Sequence, residues 1–392
     1  MRAIHCLSAA TLWGALILPV GAAPKGDAQF ITFDAPGADL TANDYNGTYP
    51  SSINDFGVVT GSVIDTNFVY RGFVRSPSGK ITTFDAPGAD TTPGSYNGTV
   101  PNSINDLGEI TGYYADVSGL VHGFLRSANG KFTSFDVPGS GGVTFPLALN
   151  LQGTVVGYYL DPNSLVHAFL RRPDGTFKTW VGPNSCDTNG SLGCYGSGAS
   201  NINIFGLIAG GFTDNSVNQV HHALLRSQNG RLTTVSVPEA GTGAGQGTGC
   251  PGCSIGLNSS GAIAGIYIDA NDVAHGFLRS PEGAFSTFDA PDAGGGSYQG
   301  TGCPSDCQVS LNDAGTIAGT YIDANNVFHG FVRSARGLIT EFDAPGAGTD
   351  SYQGTTCQFC GLGLNQSGVI TGSYLDANNV YHGFIRKPSQ DH

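Results

Sequence analysis

The sequence predicts an all-β fold, a seven-bladed β-propeller with four-stranded blades, and three observations lead there. Gly accounts for 60 of 392 residues and only 12% are charged, while Val, Ile, Thr, Phe and Tyr are frequent and helix formers are scarce. That is a composition of short strands and many tight turns. One motif, fullest as Tyr321-Ile-Asp-Ala-Asn-Asn-Val-Phe-His-Gly-Phe-Val-Arg333 followed by Phe342-Asp-Ala-Pro-Gly346, recurs seven times. Its marker positions Phe73, Phe124, Phe169, Leu224, Phe277, Phe331 and Phe384 lie 51, 45, 55, 53, 54 and 53 residues apart, a period that belongs to repeat architectures. The ends supply the third observation. The last copy stops at Ile385-Arg-Lys-Pro-Ser389 without a fourth strand, and Phe30-Ile-Thr-Phe-Asp-Ala-Pro-Gly37 is a fourth strand with no unit before it. Pairing the two completes the last blade, closes the ring and covers two edges that would otherwise invite aggregation.

In chain order, residues 1–22 read as an export signal. Arg2 precedes an apolar run over residues 9–20, and Gly21-Ala22-Ala23 offers small residues for cleavage after Ala22. The run is too short for a membrane anchor, and no later stretch reaches the roughly 20 apolar residues of a membrane-spanning helix. Residues 23–392 then form the propeller, expected to be secreted, extracellular or periplasmic, and monomeric. Loss of Arg2 changes the net charge from −13 to −14, which disfavours nucleic acid and anionic lipid as partners.

Each unit contains four β-prone runs, in the first unit Ser51–Asn54, Val58–Ile64, Val69–Arg75 and Lys80–Phe84. The first two are joined by Asn54-Asp-Phe-Gly57, whose Gly accepts a positive φ without steric cost. Its counterparts, from Asn105-Asp-Leu-Gly108 to Asn365-Gln-Ser-Gly368, keep Asn and Gly while the middle changes. A second hairpin turn, Pro77-Ser-Gly79 in the first unit, joins the third and fourth runs. Four strands and a linker make one propeller blade. A β-helix would need shorter coils, and helical repeats a period that is missing.

With strands running outward from the axis, the second-to-third turns and the linkers share one face. That face carries the length variation, in linkers near 37–50, 88–101, 137–146, 182–199, 238–253, 290–307 and 344–360. Loops on a rigid scaffold are where binding is usually placed. Tyr45, Tyr96, Tyr298 and Tyr352 stand in Tyr-Asn-Gly-Thr or Tyr-Gln-Gly-Thr linker motifs and are the candidate binding residues, able to stack on sugar rings unless the motif merely fixes the linker. Asn46, Asn97, Asn189, Asn258 and Asn365 also lie in glycosylation sequons.

The chain has no nucleophile motif, metalloprotease helix, phosphate loop or dinucleotide fingerprint in a fitting context. Catalysis would fall to linker acids near the axis, with Asp44, Asp90, Asp187, Glu239, Asp306 and Asp350 as candidates. The recurrent His (His122, His167, His222, His275, His329, His382, with Arg71 in the first unit) follows an Asp by six residues in most copies. Its place at the start of a third strand, away from the axis, favours a structural hydrogen bond within each blade over a shared metal. No cofactor is expected. Calcium is the metal to consider, because Asp269-Ala-Asn-Asp272, Asp323-Ala-Asn-Asn326 and Asp376-Ala-Asn-Asn379 cluster oxygen ligands, but they lack a distal bidentate Glu.

Beyond the leader there are eight cysteines, one close pair in each of four successive linkers: Cys186 and Cys194, Cys250 and Cys253, Cys303 and Cys307, Cys357 and Cys360. Even count, export and loop position favour disulfides with local pairing. Redox activity or zinc is the alternative, but no βαβ pattern surrounds the C-x-x-C pairs, and zinc would need two loops to converge.

The Val166-His-Ala-Phe169 segment and its His-Gly-Phe variants, with Asn-Asp-x-Gly upstream and Phe-Asp-x-Pro-Gly downstream, resemble the bacterial extracellular HAF-repeat family across essentially the whole exported region. The resemblance implies bacterial export and a propeller-like repeat fold, and it carries no functional residue over. It weakens where Trp180-Val-Gly-Pro183 and Val235-Ser-Val-Pro238 replace Phe-Asp-x-Pro. The expectation is a secreted binding module that recognises a glycan or another extracellular surface, such as a protein, through its linker face. The alternatives are a polysaccharide lyase or hydrolase using the linker acids, and a structural envelope or matrix protein.

Overall fold

The computed structural model describes residues 28–185, 196–249, 254–303, 308–356 and 361–389. Residues 1–22, read from the sequence as an export signal, lie outside them. All regular structure among the described residues is β, and no helix is long and apolar enough to cross a membrane.

The first unit shows the pattern. Strands β2 (Thr48–Ile53), β3 (Val59–Ile64), β4 (Tyr70–Arg75) and β5 (Ile81–Phe84) form an antiparallel four-stranded sheet in chain order. The first strand begins at Thr48, earlier than its β-prone run suggests, and accommodates Pro50 through a bulge between Pro50 and Ser52, a position where a ladder bond can be spared. Strand β1 (Gln29–Phe33) pairs antiparallel with the chain's last strand, Tyr381–Lys387, with Ile31 opposite Ile385. It occupies there the place that β5 takes beside β4.

Successive sheets pack face to face on the same residue types. The marker Phe side chains Phe73, Phe124, Phe169, Phe277, Phe331 and Phe384 are fully buried, each contributing about 2 to 3 kcal/mol of apolar burial. One core cluster joins Ile53, Val59 and Phe73 of the first unit to Ile385 of the last strand, so the contact between the two ends is built like the others.

A guanidinium-on-ring contact also recurs between units. Arg75, Arg126, Arg171, Arg226, Arg333 and Arg386, each on a third strand, place the guanidinium carbon 4.6 to 4.9 Å from the ring centroids of Phe33, Phe84, Phe135, Trp180, Phe288 and Phe342 respectively. Each of these rings ends a fourth strand one sheet back, and burial lowers the affinity of all six arginines for the proton.

Candidate functional site

The Asn of the first turn does more than close a hairpin. Its Oδ1 accepts the turn's own backbone, as at Val58 N–H to Asn54 at 2.9 Å. Its Nδ2 donates to the backbone carbonyl of the corresponding Asn in the next unit. The series runs Asn54 to Asn105, then Asn150, Asn203, Asn258, Asn312 and Asn365, and Asn365 donates back to the carbonyl of Asn54 at 3.1 Å. All seven side chains are buried. The sequons at Asn258 and Asn365 are therefore closed to a glycan in the folded chain, as is that at Asn46, which is 1% exposed.

On the other face, each linker is stitched to the second-to-third turns on either side. The N–H of Tyr45, Tyr96, Tyr298 and Tyr352 donates to the carbonyl of Asn379, Phe68, Asp272 and Asn326 in the unit just left. The following amide then fixes the linker: Asn46 and Asn97 bond Asp39 and Asp90 within it, whereas the longer Gln299 and Gln353 reach Asn326 and Asn379 of the unit ahead. The Thr closing the motif accepts the N–H of the preceding Asp-Ala-Pro segment, as at Ala86 N–H to Thr99 Oγ1, 2.8 Å. Equivalent Thr or Ser bonds occur in all seven units. Its recurrence in Asn-Gly-Thr and Gln-Gly-Thr was the signal that could have exposed this role.

Backbone and amide thus account for the linker, but not for the tyrosine side chains. Tyr45, Tyr96, Tyr298 and Tyr352 sit at φ of 55°, 52°, 65° and 67° and are 53% to 67% exposed. That region disfavours any residue with a Cβ and favours Gly. The equivalent of Tyr298 one linker earlier is Gly245, at φ 77°. The four tyrosines occupy four consecutive linkers, counted through the pairing of the first and last strands. Phe68 extends the aromatic surface, its ring 5.4 Å from that of Tyr96.

The candidate acids do not come together. Asp44, Glu239 and Asp350 are exposed in separate linkers. Asp90 is buried and committed to its own linker, where bonds from Asn97 and Thr92 pull its carboxyl down to about 2. Among the described residues, no hydrogen bond or ion pair joins one of these four to another. Asp187 and Asp306 lie outside the described residues. The acids that do approach one another are on the opposite face. Asp55 N–H donates to Asp106, Gln366 N–H donates to Asp55, and burial together with Asp106 and Asp313 raises the Asp55 carboxyl.

In four of the six copies, at His122, His275, His329 and His382, the recurrent His is a clip between two carboxylates, whereas His167 meets Asp161 alone and His222 meets Asp214 and the Ser236 hydroxyl. His122 Nδ1 lies 2.9 Å from Asp136 and Nε2 3.4 Å from Asp116, over the ring of Tyr114. His382 Nδ1 lies 2.8 Å from Asp34, which follows β1. Arg71 plays the same part with Asp65 and Asp85. The turn acids are occupied too: Asp323 Oδ1 accepts the N–H groups of Asn325 and Val327, and Oδ2 the amide of Asn325. Among the described residues no group of three or more His, Cys, Asp or Glu is arranged to hold a metal ion.

In the last three units the described residues show the first strand in two short pieces, and the cysteine pairs fall in the sequence between them. Gly247–Thr248 and Gly256–Leu257 both pair with Ile263–Ile268, one on each side in sequence of Cys250 and Cys253. The next two units repeat this around Cys303 and Cys307 and around Cys357 and Cys360. Cys303 is buried and disulfide-bonded. Cys186, Cys194, Cys250, Cys253, Cys307, Cys357 and Cys360 lie outside the described residues.

No protein-family model matches the chain, and no curated protein does. Solved structures match it along most of its length. A streptogramin B lyase aligns with TM-score 0.54 at 15% identity, covering 93% of this chain and 99% of that one. The β-propeller domain of the Trilobed protease from Pyrococcus furiosus aligns with TM-score 0.52 at 9% identity, covering 88% and 99%. The fold is a β-propeller. At these identities the likeness speaks for the fold alone, and the propeller's own linkers must supply the functional reading.

Proposed function

We propose that this chain is a secreted, seven-bladed propeller that binds glycan through its linker face. The observation that carries the reading is the set of four exposed tyrosines held at positive φ in consecutive linkers. Backbone geometry there favours Gly, so the aromatic side chain is retained against local preference, and an exposed ring offers a flat apolar surface beside polar linker groups. Four such rings in a row suit a repeating ligand, because several weak contacts on one chain reinforce one another. Seven blades and a closed ring are supported by the Asn series that returns to its start and by the pairing of β1 with the last strand. Export is supported by the apolar leader and by the disulfide at Cys303. Local pairing within each cysteine loop belongs to the same reading.

The test is a glycan array probed with the purified protein, beside a variant with all four tyrosines changed to Gly. Gly tolerates the same φ, so the variant keeps its fold and thermal midpoint while binding falls by about tenfold or more, as expected for losing several contacts of roughly 1 kcal/mol each. Silence across plant, fungal and bacterial polysaccharides, or undiminished binding by the variant, overturns the reading.

A further inference from the structure

One unit breaks the guanidinium-on-ring pattern. The fourth strand Leu232–Val235 ends in Val235, where its counterparts end in Phe or Trp. The arginine that would stack on that ring is Arg279. It is held as its counterparts are: Nη1 donates to the carbonyl of Ser280 at 3.3 Å, matching Arg75 with Ser76 and Arg171 with Arg172. Among the described residues no ring covers it. Arg75, Arg171, Arg226, Arg333 and Arg386 are buried, whereas Arg279 is half-buried, as is Arg126 beneath its Phe84 ring. A groove of about 380 Å3 opens beside it, with Leu207 and Leu225 as apolar lining and Arg231, Ser227 and Thr233 as polar lining. Val235 itself is in the core, 2% exposed, and Thr233 stands two residues earlier on the same strand face.

We propose that this groove binds a small planar aromatic carboxylate, whose ring lies on Arg279 where the other units supply their own. The ring is argued from the six occupied positions, which show that a guanidinium in this setting packs against an aromatic face. The charge is argued from the lining, which holds Arg231 and Arg279 and no carboxylate in a chain of net charge −13. A guanidinium pairs with a carboxylate in a planar, bidentate geometry. The volume lies within the usual range for small-molecule sites. The groove is lined by Ser260, Gly261 and Pro281 from the first-to-second and third-to-fourth turns, so it lies on the face opposite the tyrosines and is independent of the glycan reading.

Binding of benzoate to the full-length exported protein, followed by saturation-transfer NMR, is the test. Cyclohexanecarboxylate controls for the ring and benzyl alcohol for the charge. Benzoate is expected to bind, both controls to bind at least threefold more weakly, V235F to weaken benzoate by about tenfold by supplying the missing ring, and R231Q by about threefold. Arg231 is on the surface, so R231Q decides the matter if V235F fails to fold. No transfer to benzoate up to about 20 mM, an affinity worth little more than 2 kcal/mol, overturns the proposal. So does wild-type affinity in the folded variants, or equal binding of all three compounds.

Discussion

Replacing Asn365 with Ala tests the ring at its seam. The substitution removes two bonds, from Nδ2 to the carbonyl of Asn54 at 3.1 Å and from Val369 N–H to Oδ1 at 2.9 Å. It strands the Val369 N–H where the side chain was 5% exposed, while the Asn54 carbonyl keeps the Gly57 N–H at 3.0 Å. Each bond contributes about 1 kcal/mol net, and a partner left buried and unmet costs about 1 to 3 kcal/mol. The expected loss is therefore about 3 kcal/mol, or about 4 °C of thermal midpoint for a chain of this length. Asn150 makes the same two bonds far from either end, to Asn203 and from Thr154, besides a third from the exposed Gln152 N–H that water replaces. If the ring is closed, N365A and N150A cost the same within about 0.5 kcal/mol, the usual scatter for independent sites. Equilibrium denaturant unfolding of both variants measures this. A loss below about 1 kcal/mol at Asn365 with a full loss at Asn150 refutes the closure, because the seam would then contribute no buried bond.

Three further outcomes follow. The partner carboxylates raise the proton affinity of His382, through its bond to Asp34, and also that of His122 and His329, where they outweigh burial. Stability from these clips is complete below the ordinary imidazole value of about 6.5 and fades as pH rises through the raised values, so D34N should destabilise by about 1 kcal/mol at acidic pH and by less at pH about 8.5. A pH-independent difference in melting midpoint counts against the clip. F84V should expose Arg126 and cost about 2 kcal/mol by denaturant unfolding; no change would mean that the ring at this position is not part of the inter-unit core. Changing Tyr298 alone to Gly should leave the melting midpoint within about 1 °C, since Gly loses the steric penalty of positive φ while ordering it costs more backbone entropy. A drop of several degrees would assign the side chain to the scaffold.

The blade was legible in the sequence because its turns obey local rules. Asn and Gly at seven copies declare a hairpin, and the distance between copies declares one packing unit. The second use of the Asn was harder to see, although a trace was present: a turn that needed only an acceptor would take Asp or Ser as well, and seven retained amides call for a donor too. The His was legible only by half. Its Asp six residues earlier stood out, whereas Asp136, Asp289 and Asp343 lie fourteen later, across a strand whose register had to be known first. The split first strands were read as linkers, because two-residue pieces such as Gly300–Thr301 carry no alternation to recognise. The tyrosines stood out in the sequence as a recurring linker motif, but their positive φ is a property of the folded backbone.

The partnership of Asp34 with His382 spans 348 residues. Strand β1 emerges first from synthesis and meets its neighbour last. A chain built this way keeps one edge bare until every other sheet has formed, which makes assembly slow and leaves the unclosed intermediate open to stray strand pairing. Maturation should therefore read as a single late step: protease resistance arriving for all units together, and a premature stop anywhere ahead of Tyr381 leaving none of them protected.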